Sequence, residues 1–509
     1  MTMNMMDWDD SFARFRKRLG AQHPRPHRHE VPYKVPSFLK EVKPSQYVPH
    51  TVSLGLNMRL EPGIESHKTE LLRCFLKWKT DSLPSNREQQ AVPPVIRQKS
   101  ERNCLAIDGA DYLSLYTWDQ LIDDLQLDTD VITATRWYEI DATPVRPVIL
   151  KSFLTLDALF LTLFLRYSCR KVPQLRLPDN VQEELEKQTV YRLLAEARSA
   201  IWRDVFLLEN QIPLHILFKV WHLMPDMECR ARGDAWNLFN KLLKEVVKDR
   251  YLELFESSSD EGEKFVSKVL LDKNFLECDH LLDCLHYVVC YSPEDDESVK
   301  IRTADEKGTS PANTIPSATQ LLKVGIRLNS DTCNFICRIQ FENSFWKGPV
   351  LRIPRLFISD PTESLLRNLA AFEMVSSNQS PRPRVGPRLS TITSFLLLMD
   401  KLIQQEADVQ LLREDGIITS SMGNNAEVCK VWKTLCKGLL VSQNSEWVEM
   451  LKNLNIRYKS RVHQLMAEFK DKYFAKPWMV VSWVVAILFI VMTGLQTFYQ
   501  ILPYYSPHG

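Results

Sequence analysis

The stretch FLLENQIPLHIL, residues 206–217, sets Glu209, Asn210 and Gln211 side by side between two apolar runs and follows them with Ile212-Pro213. Proline has no backbone N–H and a fixed φ of about −65°, so Pro213 cannot continue a preceding helix but suits the start of a new one. Its ring also pushes Ile212 out of the α region. The chain therefore turns at Asn210–Gln211, leaving the last carbonyls of one helix and the first amides of the next without partners. One carboxylate and two amides are side chains able to supply those bonds in apolar surroundings. The same residues could belong to an active site, but no serine or cysteine nucleophile accompanies them. The corner reading is preferred.

Helical periodicity extends on both sides of this corner, over 181–209 and 213–226. Upstream it recurs at 64–80, 116–127 and 150–168; downstream at 234–256, 264–291, 361–375, 389–414, 424–440 and 443–474. One region differs. FICRIQFEN (335–343) alternates apolar and polar residues, while VLRIPRLFI (350–358) and VGIRL (324–328) are β-prone. They predict a small sheet of two to four strands with Pro354 at an edge or bulge. The expected fold class is mainly α with a small antiparallel β-sheet (α+β), plus one C-terminal transmembrane helix. Residues 81–101, 291–316 and 376–390 read as loops, and the middle one is long enough to be disordered.

Composition excludes several function classes. A net charge of +1 provides no field for nucleic acid. Only 15 glycines occur in 509 residues, well below the usual ~7%. Loops that cradle phosphates and strained nucleophile elbows need clustered glycines, and no GxGxxG, GxxxxGK[ST] or GxSxG is present. The 11 cysteines form no regular framework, and MTMNMMDWDD is too acidic for a transit peptide and lacks the apolar core of a signal peptide. Reduced thiols in the cytosol are the expectation.

Near the other end, WMVVSWVVAILFIVMTGL (478–495) carries no charge, and apolar character continues to Phe498 and Tyr499. A helix needs about 20 such residues to cross a hydrocarbon core. Trp478, Trp483, Phe498, Tyr499, Tyr504 and Tyr505 sit where interfacial aromatics belong. Lys459, Arg461, Lys470, Lys472 and Lys476 precede the span and no Lys or Arg follows it. The positive-inside rule then predicts a single-pass, C-terminal anchor with the large domain in the cytosol. The plasma membrane is favoured over endomembranes.

Residues 7–19, DWDDSFARFRKRL, form a basic amphipathic pattern suited to a membrane surface or a docked helix. HPRPHRHEVP after it is histidine-rich but stiffened by prolines. The densest set of metal-ligand types is ECDHLLDCLHYVVC, with Cys278, His280, Cys284, His286 and Cys290. On one continuous helix the three cysteines point away from each other in steps of about 120°, so four of the five residues cannot converge on one ion. Apolar packing with cysteine as a small hydrophobe is the preferred reading. Cys333 and Cys337 have no second pair nearby, and Cys429 with Cys436 share a helix face as core residues do. An apolar pocket in which several of Glu209, His215 and Cys284 converge with an open position would favour an enzyme. No catalytic, cofactor-binding or metal residues are assigned, and no cofactor is expected.

IWRDVFLLENQIPLHIL resembles the signature of a large plant family known as domain of unknown function 247. VPYKVPSFLK…YVPHTVSLG (31–55), HKTELLRCFLKW, ECDHLLDCLH, SATQLLKVGIRL (317–328), LRIPRLFISDPTESLLRNLAAFEM (351–374) and MDKLIQQEADVQLLREDGII (399–418) are similar to its other blocks, in order. One departure is that Gly55 is followed by Leu56-Asn57-Met58 where the family usually has Gly-Pro-Tyr-His. Together with the patterns above, the expected division is an amphipathic, basic N-terminal segment (1–30), a mostly helical domain of the family that the resemblance covers (31–474), a transmembrane helix (477–499) and a short tail (500–509). Within the domain, a β-containing part is expected near 317–358 and a disordered loop near 291–316. The resemblance also implies a plant membrane protein without established catalytic residues. Some members in grasses are implicated as pollen-side determinants of self-incompatibility. The expected function is thus non-enzymatic recognition or signalling through an unknown protein partner. Membrane lipid is contacted through the C-terminal helix, with no nucleic acid and no small-molecule substrate. An enzyme with an unrecognised site and a membrane scaffold are the alternatives.

Overall fold

The computed structural model describes residues 34–55, 65–81, 118–125, 127, 147–169, 172–175, 177–186, 195–224, 226, 232–255, 260–271, 275, 278–290, 315–331, 339–344, 348–379, 391–439, 445–460 and 477–505. The basic pattern at 7–19, the histidine-rich stretch, most of the loops expected at 81–101 and 291–316, Cys333, Cys337 and Arg461 to Lys476 lie outside the described residues.

In chain order the helices are α1 (Ser37–Val42), α2 (Glu65–Asp81), α3 (Trp118–Leu125), α4 (Pro147–Ser168), α5 (Asp179–Glu186), α6 (Arg198–Val205), α7 (Leu214–His222), α8 (Arg232–Phe255), α9 (Asp260–Leu271) and α10 (Leu281–Val289). Next come α11 (Ala318–Lys323) and strands β1 (Arg327–Asp331), β2 (Gln340–Ser344), β3 (Gly348–Pro354) and β4 (Leu356–Ile358). They are followed by α12 (Asp360–Gln379), α13 (Thr391–Leu402), α14 (Glu406–Glu414), β5 (Ile418–Ser420), α15 (Asn425–Leu435), α16 (Ser445–Lys459) and α17 (Pro477–Tyr505). The fold is mainly helical with a small sheet. Two compact units divide the chain: residues 1–34, 49–205 and 209–239 form one, and residues 35–48, 206–208 and 240–509 the other.

Helix α4 is the centre of the first unit. Every residue from Leu154 to Arg166 is buried, with α2, α3 and α7 packed against it. Two charges lie in that stretch, and an unpaired charge there would cost several kcal/mol. Both are paired. Asp157 meets the Lys68 ammonium at 2.6 Å, and Arg166 donates to both oxygens of Asp226 at 3.0 and 2.6 Å. The Arg166 guanidinium also lies 5.9 and 5.3 Å from the rings of Trp78 and Trp221.

The corner at 209–213 does what its side chains allow. Helix α6 ends at Val205 rather than running to 209, because Asn210 Nδ2 donates to the Asp204 carbonyl and Gln211 Nε2 to the Val205 carbonyl, both at 2.8 Å. Pro213 then caps α7 with extended backbone. Asn210 reaches further. Its Nδ2 donates to Val52 O at 3.0 Å, and its Oδ1 accepts from Leu54 N at 2.6 Å. One oxygen of Asp204 accepts from the amides of His50, Thr51 and Val52 at 3.0, 2.6 and 3.0 Å. Lys68 Nζ donates to Ser53 O at 2.5 Å, and Gly55 N donates to Asp157 at 3.0 Å. Residues 50–55 thus cross the interior outside any helix or strand, with side chains partnering their backbone. Gly55 closes the segment at φ +73, a conformation that favours glycine.

Helix α12 gathers the second unit through a buried polar stripe, Glu363, Ser364, Arg367 and Asn368. Glu363 accepts from Lys43 at 2.7 Å and from Arg367 at 2.9 Å. Ser364 Oγ and Asn368 Nδ2 both donate to Gln46 O at 3.0 Å, and Asn368 Oδ1 accepts from Leu208 N at 2.8 Å. Two stretches far apart in sequence, residues 43–46 and Leu208, are fixed to one helix.

The sheet is mixed rather than wholly antiparallel. Its order is β1-β3-β2, with β2–β3 antiparallel and β1–β3 parallel. The chain reverses between β1 and β2 and again between β2 and β3, so β1 runs parallel to the strand it joins. Pro354 ends β3 beyond the last β2 partner, Gln340↔Arg352, where its missing N–H removes no bond to β2. A second pair, β4 with β5, is parallel; β5 was not expected. Two long helices are interrupted. The one expected at 389–414 is α13 and α14, separated where Asp408 accepts from Gln404 N and Gln405 N at 3.1 and 2.9 Å. The one expected at 264–291 is α9 and α10.

Helix α17 contrasts with α4. Val481–Ile501 is long and apolar enough to cross a membrane, and none of it is buried.

Replacing Asn210 with alanine strands the Val52 carbonyl and the Leu54 amide, at about 1–3 kcal/mol for each buried group. We expect Asn210→Ala to lower unfolding stability of the full chain in detergent by about 3 kcal/mol. A loss below about 1 kcal/mol by denaturant titration would mean the segment is not held by this amide.

Candidate functional site

The chemistry-bearing convergence lies in the second unit, on α10, α12 and the start of α13. His280 ends the preceding loop in extended conformation, and its Nδ1 accepts from the Asp283 amide at 3.1 Å. The Asp283 carboxylate accepts from the amide of Asp279, the residue before the cap, at 2.9 Å. This capping starts α10 at Leu281 and separates it from α9 within the helix expected at 264–291. It also removes Cys278 from the helix, and the Cys278 and Cys284 thiols, expected to point apart, share a hydrogen bond.

Four residues apart, His286 and Cys290 share one face of α10 and its end. From α12, Glu373 meets them. His286 Nε2 lies 3.1 Å from Glu373 Oε1, Cys290 Sγ lies 3.5 Å from the same Nε2, and Sγ lies 3.8 Å from Oε1. Glu373 also caps α13. Its Oε1 accepts from Ile392 N at 2.8 Å, and its Oε2 from Thr393 N and Oγ1, both at 2.8 Å. A carboxylate at a helix N-terminus is favoured by the exposed amides and the dipole. Phe372 stands edge-on to both His280 and His286 with centroids 5.2 Å away.

A thiol, an imidazole and a carboxylate suggest a nucleophile relay, but the geometry differs from one. In a relay the two ring nitrogens face different partners, thiol on one side and carboxylate on the other. Here the same Nε2 faces both. Cys290 and Glu373 are each only 1% exposed. One donor atom from each of the three residues lies within 4.8 Å of the other two, so the set can hold a metal ion.

Among the described residues, Cys284, Cys429 and Cys436 are small buried groups. Burial raises the Cys284 thiol, and likewise Cys436, whose Sγ donates to Leu396 O at 3.1 Å. Cys429 faces the Gln404 carbonyl at 3.9 Å. In the first unit Glu209 is buried in the corner and His215 is half-buried on α7, while Cys284 belongs to the second unit.

Glu373 is the residue that sequence reasoning passed over. Its signal was present: a lone carboxylate inside Leu369-Ala370-Ala371-Phe372-Glu373-Met374-Val375. A charge flanked by apolar residues on a buried helix must have fixed partners. Which residues those would be depends on three elements meeting in space.

A family model described as DUF247, plant protein of unknown function, matches residues 33–492. Two Arabidopsis thaliana proteins named UPF0481 are similar to this chain. At3g02645 is 21% identical over 425 residues, covering 68% of this chain and 73% of its own length. At3g47200 is 25% identical over 319 residues, covering 60% of this chain and 61% of its own length. No solved structure matches the chain.

Burial, aided by the nearby His286, lowers the pKa of His280 from 6.5 to about 3. The folded protein therefore keeps His280 neutral, as its cap bond requires, while the unfolded chain takes a proton below its ordinary value. Stability from this group is full above pH about 6.5 and falls toward acid by at most about 1.4 kcal/mol per pH unit. His280→Asn keeps a capping acceptor and removes the titration. Between pH 7 and 5 the wild type should lose about 2 kcal/mol more than the variant in denaturant titrations. Parallel pH profiles would exclude this linkage.

Proposed function

The chain belongs to the plant family DUF247, and we propose that it is held at a membrane by α17 and works through contacts with other proteins rather than by catalysis. The observation that carries this reading is the helix itself. Val481–Ile501 holds no charged residue and has no buried portion. Core helix α4 buries Asp157 and Arg166 with partners, as a helix inside a soluble domain can. An uncharged, mostly apolar helix that no described residue buries matches lipid as its surroundings. The lysines and arginines from Lys459 to Lys476 support a cytosolic side for the large part of the chain by the positive-inside rule.

Recognition or signalling is the role we assign to the part outside the membrane. It is supported by an interior in which buried polar side chains hold backbone, and by a His–Cys–Glu cluster whose Cys290 and Glu373 are buried. Self-incompatibility, in which some grass members of the family are implicated, is the setting that the family resemblance implies.

In sealed plant microsomes, the full chain should stay in the pellet after alkaline carbonate, and a chain lacking residues 477–509 should move to the supernatant. A tag ahead of residue 1 should be digested by protease without detergent, while one placed after residue 509 is protected. Crosslinking in intact membranes should give discrete adducts with another protein. Full-length protein released by carbonate alone would remove the anchor, and substrate turnover by the purified chain would overturn the non-catalytic role.

A further inference from the structure

We propose that His286, Cys290 and Glu373 form a zinc site, with Nε2, Sγ and Oε1 as ligands, clamping α10 to α12 and to the first turn of α13. The argument starts from spacing. Zinc holds nitrogen and oxygen at about 2.0–2.2 Å and sulfur at about 2.3 Å in a tetrahedron, which places donor atoms roughly 3.3–3.6 Å apart. The three separations here are 3.1, 3.5 and 3.8 Å. The three donors bracket the tetrahedral range without movement of backbone.

The donor chemistry agrees. Thiolate, neutral imidazole and carboxylate are the ligand types that zinc takes in proteins. One thiolate and one carboxylate balance the charge of the ion, so the buried site is neutral overall. Binding releases the thiol proton to solvent, and the Nε2 proton of His286 leaves or passes to Nδ1, freeing the lone pair that faces the ion. Glu373 is held by donors outside the metal position. Its Oε2 receives two bonds from Thr393, and Oε1 receives one from Ile392 N, leaving a second lone pair directed at the cluster. Phe372 packs edge-on against the imidazole and fixes its plane. Three protein ligands leave the fourth position to a water molecule. With Cys290 and Glu373 almost fully enclosed, the ion acts as a structural clamp.

The competing account is a metal-free hydrogen-bonded cluster that only caps α13, and the test separates the two. Full chain purified in detergent without chelators is assayed for bound zinc by mass spectrometry, then exchanged with Co²⁺. The expected result is stoichiometric zinc and a tetrahedral cobalt spectrum with a thiolate-to-metal band. Cys290→Ser, which nearly preserves volume, should lose that band and weaken zinc by at least about tenfold. Cys284→Ser, on the same helix outside the cluster, should retain both. Folded wild-type protein that takes up neither metal overturns the site, as does a thiolate band that survives Cys290→Ser or vanishes in Cys284→Ser. If Cys290→Ser does not fold, the cobalt spectrum of Cys284→Ser decides: a thiolate band supports the site, and its absence overturns it.

Discussion

A stretch of backbone that crosses a protein interior without a neighbouring strand still carries one donor and one acceptor per residue, and each must be matched. Residues 50–55 are such a stretch, and their needs organise the first unit. Asp204 serves three consecutive amides, Asn210 spans a carbonyl and an amide two residues apart, Lys68 serves the Ser53 carbonyl and Asp157 the Gly55 amide. The donors and acceptors stand on α2, α4, α6 and the turn after α6. Those elements are therefore fixed relative to one another by a single extended segment, with apolar packing filling the space around it. Asp204 shows the tension involved. Burial raises its pKa even though three amides and Arg203 favour the charge.

The second unit applies the same constraint with a helix as the distributor. Along α12, Glu363, Ser364, Arg367 and Asn368 hold the 35–48 segment and Leu208, and Glu373 holds the start of α13. Carboxylates at 363 and 373 are stable there because each receives several directed bonds, two of them charge-assisted at Glu363. The His286–Cys290–Glu373 convergence grows out of this arrangement. A carboxylate already oriented by three donors on α13 presents its remaining lone pair to an imidazole and a thiol one helical turn apart.

The two most apolar long helices illustrate how surroundings decide the meaning of composition. Helix α4 is buried from Leu154 to Arg166 and tolerates Asp157 and Arg166 because partners surround it. Helix α17 has no charge to pair and no described neighbour burying it. Similar hydrophobicity leads in one case to a core and in the other to a helix fit for lipid.

Much of this was legible in the sequence because it depends on local rules. Periodicity located most helices, Pro213 located the start of α7, and an uncharged run of hydrocarbon length located α17. The block order from residue 31 identified the family. The failures share a cause. Helix breaks at 405 and 280 come from side chains reaching back to nearby amides, which periodicity overlooks when both flanks are apolar. The parallel β1–β3 pairing and the β4–β5 pair depend on chain paths longer than any turn signal. Glu373 could be recognised as a buried charge, but not matched to His286, 87 residues away. Residue order by itself determined the elements, the corner and the apolar span, since those follow from backbone chemistry over a few positions. Tertiary structure alone decided which polar side chains answer which backbone groups, because such pairing requires three-dimensional proximity that sequence distance does not encode.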